Sequence, residues 1–485
     1  MTTHTTTETS PEQVDATAEA SWTAFERIRS TTAAQRAGWL CAIADEFDAN
    51  VDELVSIADE ETHIGEPRLR GEVTRTTNQL RFFAEVILDG AYLEAAIDHA
   101  RPDATPPVPD LRRLLVPLGP VGVFSASNFP FAFSVAGGDT AAALAVGCPV
   151  IVKAHGGHPR LSQRSAELVL AALDREDAGE GVFGIVFGRE AGTALVAHPR
   201  VKAVSFTGSV AGGRALFDIA SSRPDPIPFY GELGSINPVI ITPQADSARA
   251  TELATGLAGS FQLGLGQLCT KPGVVLVPRD GEFESALIDA VTTPASGLLL
   301  NDAIDRSFRS GVAELAARDG ERTVIGATDA ESPVSAIVVA TDAATVRESE
   351  STLLEEHFGP MTILVSYDSL EEALDVAESL GGNLTATIHA QPGEVGPAVI
   401  ERLSQIAGRV LFDGWPTGVA VTWSQNHGGP WPSTTSLFTS VGATSVRRFM
   451  RPVAFQSGPE SLLPEALHDS NPLGIPQRVD GVLRF

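Results

Sequence analysis

The chain has 485 residues and a mass of 50.9 kDa, enough for two or three domains with large cores. Its formal net charge is −27, a balance that repels nucleic acid and anionic membranes and excludes both as expected partners. No apolar run reaches the roughly 18 residues of a membrane span, and three cysteines without a CxxC pair form neither a disulfide framework nor a metal pattern, so the expectation is a cytoplasmic protein with no bound metal.

The opening MTTHTTTETSPEQ is polar, without the apolar core of a signal peptide, and reads as a frayed tail. Residues 11–60 read as helices, because Trp22, Phe25 and Ile28, then Trp39, Ile43 and Phe47, recur at helical spacing; residues 71–87 look like another. Five prolines from Pro102 to Pro117 break that regime and predict a linker leading into an extended segment. From residue 121 the apolar runs VGVFSA, PVIVKA, VFGIVFG and VKAVSFTG alternate with helical stretches at 133–147, 161–173, AGTALVAHP and SVAGGRALFDIAS, and IPFYGELG follows. That alternation predicts a doubly wound, largely parallel sheet. A second α/β series after about 235 offers the strands GVVLVP, VSAIVVAT, MTILVSY, LTATIHA and GRVLFD, with helices near 246–259, 281–292, 302–318 and 369–380. TSVRRFMRPVAFQ reads as a lone strand, and the proline-broken SGPESLLPEALHDSNPLGIPQ as a tail wrapping a surface or a partner.

GQLCTKPG sets Cys269 among glycines (Gly264, Gly266, Gly273) and beside Lys271, one of three lysines in the chain. A nucleophilic thiol needs such a small-residue setting, open to substrate and rich in backbone N–H groups, whereas Cys41 and Cys148 sit among aliphatics as structural cysteines do. The residues alone leave Cys269 evenly balanced between the two roles, and with no histidine beside it a thiol–imidazole pair needs a distant partner. Glu232, between glycines at a strand end, is either a general base with a pKa raised by burial or a solvated turn residue. Asn128 in SASNFPFAF either donates to an oxyanion or makes an ordinary turn. FTGSVAGG places Gly208, Ser209 and Gly213 at a strand-to-helix turn that departs from GxGxxG yet offers helix-start N–H groups to a pyrophosphate. Lys153 ends the PVIVK strand, where an ammonium suits ribose hydroxyls or phosphates, or simply meets solvent.

In their order and spacing, NFP, the strand-ending lysine, FTGS, GELG, GQLCT and EEHFGP resemble the aldehyde dehydrogenase superfamily, over residues 15–455. SASNFPFAFSVAGGDTAAALAVGCPVIVKAHGGHP, RPDPIPFYGELGSINPV, GQLCTKPG and HGGPWPSTTSLFTSVG resemble the branch holding 2-oxoglutarate semialdehyde (2,5-dioxopentanoate) dehydrogenases and NADP-dependent fatty aldehyde dehydrogenases. The resemblance implies an α/β fold: a doubly wound, Rossmann-like cofactor-binding domain (1–107 and 119–234), an α/β catalytic domain (235–430), a β-strand oligomerisation arm (108–118 and 445–456) and a C-terminal tail (457–485). It implies that Cys269 is the nucleophile, that Glu232 activates the hydrolytic water, and that Asn128 and the Cys269 N–H form the oxyanion hole. It places Lys153 on the adenosine ribose, Gly208, Ser209 and Gly213 along the pyrophosphate and adenosine, Glu356 on the nicotinamide ribose and Phe358 against that end of the cofactor.

The implied activity is NAD(P)-dependent oxidation of a small-molecule aldehyde to a carboxylic acid through a thiohemiacetal and a thioester, foremost 2,5-dioxopentanoate to 2-oxoglutarate, by a homo-oligomer (dimer or dimer of dimers). Two positions depart from many NAD-preferring relatives: Ser127 replaces a tryptophan and Gly156 a glutamate. The second, with His155, His158 and Arg160 as nearby sources of positive charge, favours NADP over NAD. The rival substrate is a medium- or long-chain aldehyde lying along Phe129, Phe131 and Phe133 on one side and Trp423, Trp431 and Phe438 on the other. Acyl transfer to coenzyme A is a rival reaction, against which Glu232 argues. A non-catalytic protein on the same scaffold is the rival of another class, against which the joint presence of Cys269, Glu232 and Asn128 argues. Among many arginines, the one that would read the carboxylate of 2,5-dioxopentanoate is not legible.

Overall fold

The computed structural model describes residues 8–316, 321–326, 333–348 and 355–485. Most of the opening expected to fray, residues 1–7, lies outside them, as do 317–318 of one expected helix. Four helices come first: α1 (Pro11–Ile28), α2 (Ala33–Ala49), α3 (Val51–Thr62) and α4 (Glu66–Asp89). The first two begin at reciprocal caps, Ser10 with Gln13 and Thr32 with Gln35, each pair exchanging side chain and backbone N–H. Trp39, Ile43 and Phe47 of α2 are fully buried and join Val121, Val150 and Phe183 in one core. Trp22 and Phe25 of α1 stay half-buried; its buried stripe runs through Val14, Ala18, Ala24 and Ile28 instead.

After β1 (Ala96–Asp98) and β2 (Leu111–Pro117) the chain enters its first parallel sheet. The strands are β3 (Val121–Phe124), β4 (Val150–Lys153), β5 (Phe183–Val186), β6 (Ala203–Thr207) and β7 (Phe229–Glu232), linked by α5 (Gly138–Ala145), α6 (Pro159–Arg175), α7 (Arg189–Ala197) and α8 (Val210–Ser222). Their spatial order is β5-β4-β3-β6-β7, every neighbouring pair parallel. The chain runs outward from β3 to β5 and returns to β6 on the other side of β3. The carboxyl ends at that switch point are where open α/β sheets bind ligands. The helix expected from 133 starts only at Gly138, because Glu72 Oε1 accepts the N–H groups of Phe131 and Ala132 and holds that stretch in turns.

The second series holds β8 (Val239–Ile241), α9 (Pro243–Gln262), β9 (Val274–Pro278), α10 (Phe283–Ala290), β10 (Ser296–Gly297), α11 (Asp302–Ala316), β11 (Arg322–Ile325), β12 (Val334–Ser335), β13 (Ile337–Asp342), α12 (Ala343–Glu348), β14 (Met361–Tyr367), α13 (Leu370–Ser379), β15 (Asn383–His389), α14 (Pro397–Ile406) and β16 (Ala407–Phe412). Seven strands lie in the order β11-β13-β14-β9-β8-β15-β16, parallel except for β11 against β13. The expected strand VSAIVVAT divides at Ala336, its first part pairing with β10 rather than joining this sheet. Strands β8 and β11 and helix α14 exceed the expectation; β8 has three residues, too few to show a period.

The third sheet corrects one reading and narrows another. The lone strand is neither lone nor continuous: residues 443–449 coil as a 3-10 helix, with Arg448 turned inward onto Asp139 and Ser445 O. Only β17 (Met450–Gln456) is extended, and it pairs antiparallel with β2 along its full length. The terminal segment, expected to wrap a surface or a partner, wraps a surface of its own chain. Leu463, Leu467, Ile475 and Val479 bury against Ile97 and Leu114, and β18 (Gln477–Val479) and β19 (Val482–Arg484) complete the order β17-β2-β1-β18-β19.

Candidate active site

A cavity of about 930 Å³ opens at the carboxyl ends of β3, β4 and β6 and reaches the loop before β9. Asn128, Lys153, Gly208, Ser209, Glu232, Cys269, Glu356 and Phe358 all line it. Gly213 does not. It is buried in α8, where an added Cβ would meet Leu233 Cδ2 at 2.1 Å, so its glycine serves helix packing.

Cys269 follows a turn in which Gly264, Leu265 and Gly266 all take positive φ (59°, 53° and 64°). At Gly266 a Cβ would lie 2.1 Å from Gly359 O, so the cysteine loop meets the loop carrying Glu356 and Phe358 backbone to backbone. Asn237 Nδ2 donates to Cys269 O (2.8 Å) and Lys271 O (2.9 Å). Lys271 Nζ donates to His357 O (2.6 Å) and Met361 O (2.8 Å), fastening the same two loops. Neither fastener was singled out from sequence as part of the site; the rarity of lysine in this chain was the available signal for Lys271.

Glu232 is 3% exposed, not a solvated turn residue. Its carboxylate is gripped at both oxygens: Ser440 Oγ donates to Oε2 at 2.6 Å, and His427 Nε2 lies 2.9 Å from Oε1. Burial alone would raise its pKa as the sequence suggested, but the imidazole and the hydroxyl outweigh burial and hold it below the ordinary value. His427 Nε2 also lies 3.6 Å from Cys269 Sγ. This is the distant histidine that a thiol pair needs, and sequence reading did not pick it out; a histidine followed by two glycines, without aliphatic neighbours, was its only local signal. Burial pushes the Cys269 thiol well up, and the charges of Glu232 and Glu356 push it further, while Arg75 pulls the other way. Glu232, Cys269 and His427 also form the one three-ligand grouping of metal-binding side chains among the described residues, a cluster invisible in the sequence spacing; their mutual contacts account for it.

Asn128 is buried, its Nδ2 donating to Gln267 O at 3.0 Å, which leaves its second amide hydrogen for a ligand. Its carbonyl accepts from Arg68 Nη2 at 2.6 Å. At the other end of the cavity Lys153 runs over Gly192, and desolvation lowers its pKa. Burial raises the pKa of Glu356, with Lys271 opposing. A Cβ at Gly156 would meet nothing within 4 Å. The positive charge expected beside Gly156 is not available: burial pushes His155 down to about 3 and lowers His158, and Arg160 is paired with Glu60 at 2.9 Å. The six aromatic residues weighed as a tunnel do not face one another. Phe131 is core, Trp423 packs on Phe82, Trp431 lies under Arg214, and Phe438 meets Tyr230. Only Phe129 and Phe133 form a ring pair, at 5.4 Å.

The fold thus brings a half-buried thiol, a buried carboxylate and an amide donor from two largely parallel α/β units to one cavity. Residues 2–452 match the model of the aldehyde dehydrogenase family, and the chain belongs to that family. It is 46% identical over 472 residues to alpha-ketoglutaric semialdehyde dehydrogenase 2 of Azospirillum brasilense, covering 94% of this chain and 89% of that protein. To alpha-ketoglutaric semialdehyde dehydrogenase of Acinetobacter baylyi it is 41% identical over 481 residues (97% and 91%). The fold matches the NADP-dependent glyceraldehyde-3-phosphate dehydrogenase of Bacillus halodurans, solved with NADP, at a TM-score of 0.79 and 20% identity, covering 93% of this chain and 92% of that one. Among the described residues no helix is long and apolar enough to cross a membrane.

Proposed function

We propose that the protein oxidises 2,5-dioxopentanoate to 2-oxoglutarate with a nicotinamide dinucleotide, NADP before NAD. The observation that carries the reaction is Cys269 Sγ 3.6 Å from His427 Nε2, with Asn128 lining the same cavity as Cys269 and an ionised Glu232 2.9 Å from that imidazole nitrogen. The substrate rests on the two semialdehyde dehydrogenases to which the chain is 46% and 41% identical.

The residues present fit the cofactor. About 930 Å³ lies at the upper end of the roughly 300–1,000 Å³ of ligand pockets. Lys153 and Glu356 offer a donor and an acceptor for ribose hydroxyls, Phe358 a face for the nicotinamide end, and Gly208, Ser209 and the start of α8 a seat for the pyrophosphate. Bound there, the dinucleotide supplies the two-electron oxidation. NADP preference rests on Gly156, whose open side brings no carboxylate toward a 2′-phosphate.

The chain's own groups do the rest. The Cys269 thiol passes its proton to ionised Glu232, which His427 Nε2–H steadies, as sulfur adds to the aldehyde carbon, and Glu232 releases that proton to solvent before hydrolysis. The free amide hydrogen of Asn128 and the backbone N–H of Cys269 receive the alkoxide. After oxidation an acyl thioester remains on Cys269, and Glu232 takes a proton from the water that cleaves it. An ionised, buried Glu232 beside the sulfur supports hydrolysis over transfer to coenzyme A.

In this reading the first sheet belongs to the cofactor-binding domain and the second to the catalytic domain. The third, with Leu462, Leu473, Val482, Leu483 and Phe485 exposed around it, mates copies of the chain. The three free cysteines suit a reducing cytoplasm. The test is the appearance of reduced nicotinamide with 2,5-dioxopentanoate, hexanal and decanal under each cofactor. A kcat/KM for decanal above that for the semialdehyde would transfer the assignment to a fatty aldehyde enzyme.

A further inference from the structure

Helix α4 presents Arg68, Glu72, Arg75 and Gln79 at helical spacing toward the segment 128–138. Two of the four are spent on that segment, Arg68 donating to Asn128 O and Glu72 accepting from two backbone N–H groups, while Gln79, its Nε2 also without a partner, lies beside Gly138. Arg75 is different. Its guanidinium lies over Phe129 and Phe133, 5.5 and 5.3 Å from the ring centroids, and its Nε and Nη2 are buried with no hydrogen-bond partner among the described residues. Those two nitrogens form the edge that grips a carboxylate side-on. This chain uses the same edge elsewhere: Nε and Nη2 of Arg164 hold Glu53, those of Arg279 hold Asp368, and those of Arg402 hold Glu378. At Arg75 the edge has no protein partner and both nitrogens are closed to water, so a ligand reaches them only as the Phe129 and Phe133 rings shift. A buried, unpartnered guanidinium edge is costly unless a ligand completes it.

The edge is near the reacting atoms. Phe133 stands 6.4 Å from the His427 ring, whose Nε2 is 3.6 Å from Cys269 Sγ. Arg75, Phe129, Phe133 and His427 are absent from the wall of the cavity assigned to the dinucleotide, so they approach Cys269 from outside it. Arg75 also draws the thiol pKa of Cys269 down, as a nearby cation does. Arg409 is the competitor, with a buried, unpartnered Nε, but its Nη1 and Nη2 are each anchored by one bond, to Gly418 O and Pro416 O, which ties its guanidinium to its own loop.

We infer that Arg75 reads the far carboxylate of a short 2-oxo acid semialdehyde through Nε and Nη2, the carbon chain lying against Phe133 while the aldehyde meets Cys269. This rests on the proposed substrate. Four carbon–carbon bonds of about 1.5 Å separate the carbonyl carbon from the carboxylate carbon, a short reach that favours a small dicarbonyl acid over a long tail.

The experiment compares kcat/KM for 2,5-dioxopentanoate and for pentanal, its uncharged analogue of equal length, in wild type, Arg75→Gln and Arg75→Lys. The ratio of semialdehyde to pentanal should fall roughly 100-fold in Arg75→Gln, through KM, as a bidentate charged pair is lost. Arg75→Lys, which keeps the charge over the rings but not the fork, should recover only part and covers the case in which the glutamine chain does not fold. Glutarate should inhibit wild type competitively against the semialdehyde and inhibit both variants much less. Equal losses for both aldehydes would make Arg75 a tuner of the thiol and overturn the inference, as would an unchanged ratio. A wild type that prefers pentanal removes the substrate reading itself; a wild type that prefers the semialdehyde, with unaltered ratios in both variants, removes the inference alone.

Discussion

His427 Nε2 lies 3.6 Å from Cys269 Sγ although 158 residues separate them in the chain. The same nitrogen is 2.9 Å from Glu232 Oε1, so one imidazole spans the nucleophile and the carboxylate. Because His427 Nε2–H donates to the ionised Glu232, replacing His427 by alanine should lower the rate of thioester formation by roughly 10- to 100-fold, the size of one charge-assisted hydrogen bond. Rapid-mixing measurement of the first turnover checks this; a first turnover as fast as wild type removes His427 from the chemistry.

Cys269→Ala should abolish turnover while leaving dinucleotide affinity nearly intact, because the sulfur makes the covalent bond but little of the cavity wall. Glu232→Gln should instead give one burst of reduced cofactor and then stall at the thioester. Fluorescence titration with NADPH and burst kinetics separate the two variants, and steady turnover by the alanine protein would end the nucleophile assignment.

The thiol pKa gives a prediction of sign. Burial raises it first, and the negative charge of Glu232 raises it further by disfavouring the thiolate. Removing that charge in Glu232→Gln stabilises the thiolate, so alkylation by iodoacetamide should reach half its plateau rate at lower pH than in wild type. Arg75 acts in the opposite sense, and Arg75→Gln should move the midpoint to higher pH. If both variants titrate with wild type, these charges do not act on the sulfur.

Gly156→Glu should shift preference toward NAD by roughly 1–3 kcal/mol, the size of one charged hydrogen-bond term. The shift should not depend on neighbouring histidines. Burial holds His155 near 3, so that ring does not change charge between pH 6 and 8, and burial lowers His158 from its ordinary value. KM for NADP in Gly156 enzyme should therefore show no step from the His155 ring across that interval, and a step from it would return it to the 2′-phosphate.

The strands of the first sheet were legible because each is a short apolar run bounded by turn residues, and the cysteine, glutamate and asparagine because each ends such a run or follows one. What escaped depends on long-range closure. His427 becomes a partner of Glu232 only when segments 195 residues apart meet. Arg75 sits on an ordinary amphipathic helix, and only the fold shows that its guanidinium lies over Phe129 and Phe133 rather than in water. The helix expected from 133 starts late because Glu72, far back in the chain, takes the amides of Phe131 and Ala132 just before it and holds the entry in turns. The charges of His155 and His158 were misjudged because burial sets them, and a loop-like sequence does not reveal burial.

Arg448 ties the third sheet to the active site, and its loss should be felt in both. The side chain is 2% exposed; Nη2 donates to Asp139 Oδ1 at 2.6 Å and to Ser440 O at 3.3 Å, and Nε to Ser445 O at 3.2 Å. Arg448→Ala leaves Asp139, itself only 12% exposed, without its cation, and breaking a buried pair from one side costs about 3–5 kcal/mol. Ser440 is also the residue whose hydroxyl holds Glu232 Oε2. Thioester hydrolysis should therefore slow more than the initial burst: Glu232 takes a proton in both, but in hydrolysis it must also place the water. Urea unfolding followed by burst kinetics on the folded fraction checks both halves. Unchanged stability would mean that Asp139 finds another partner, and burst and hydrolysis slowed equally would mean that Ser440 does not hold Glu232 for its water.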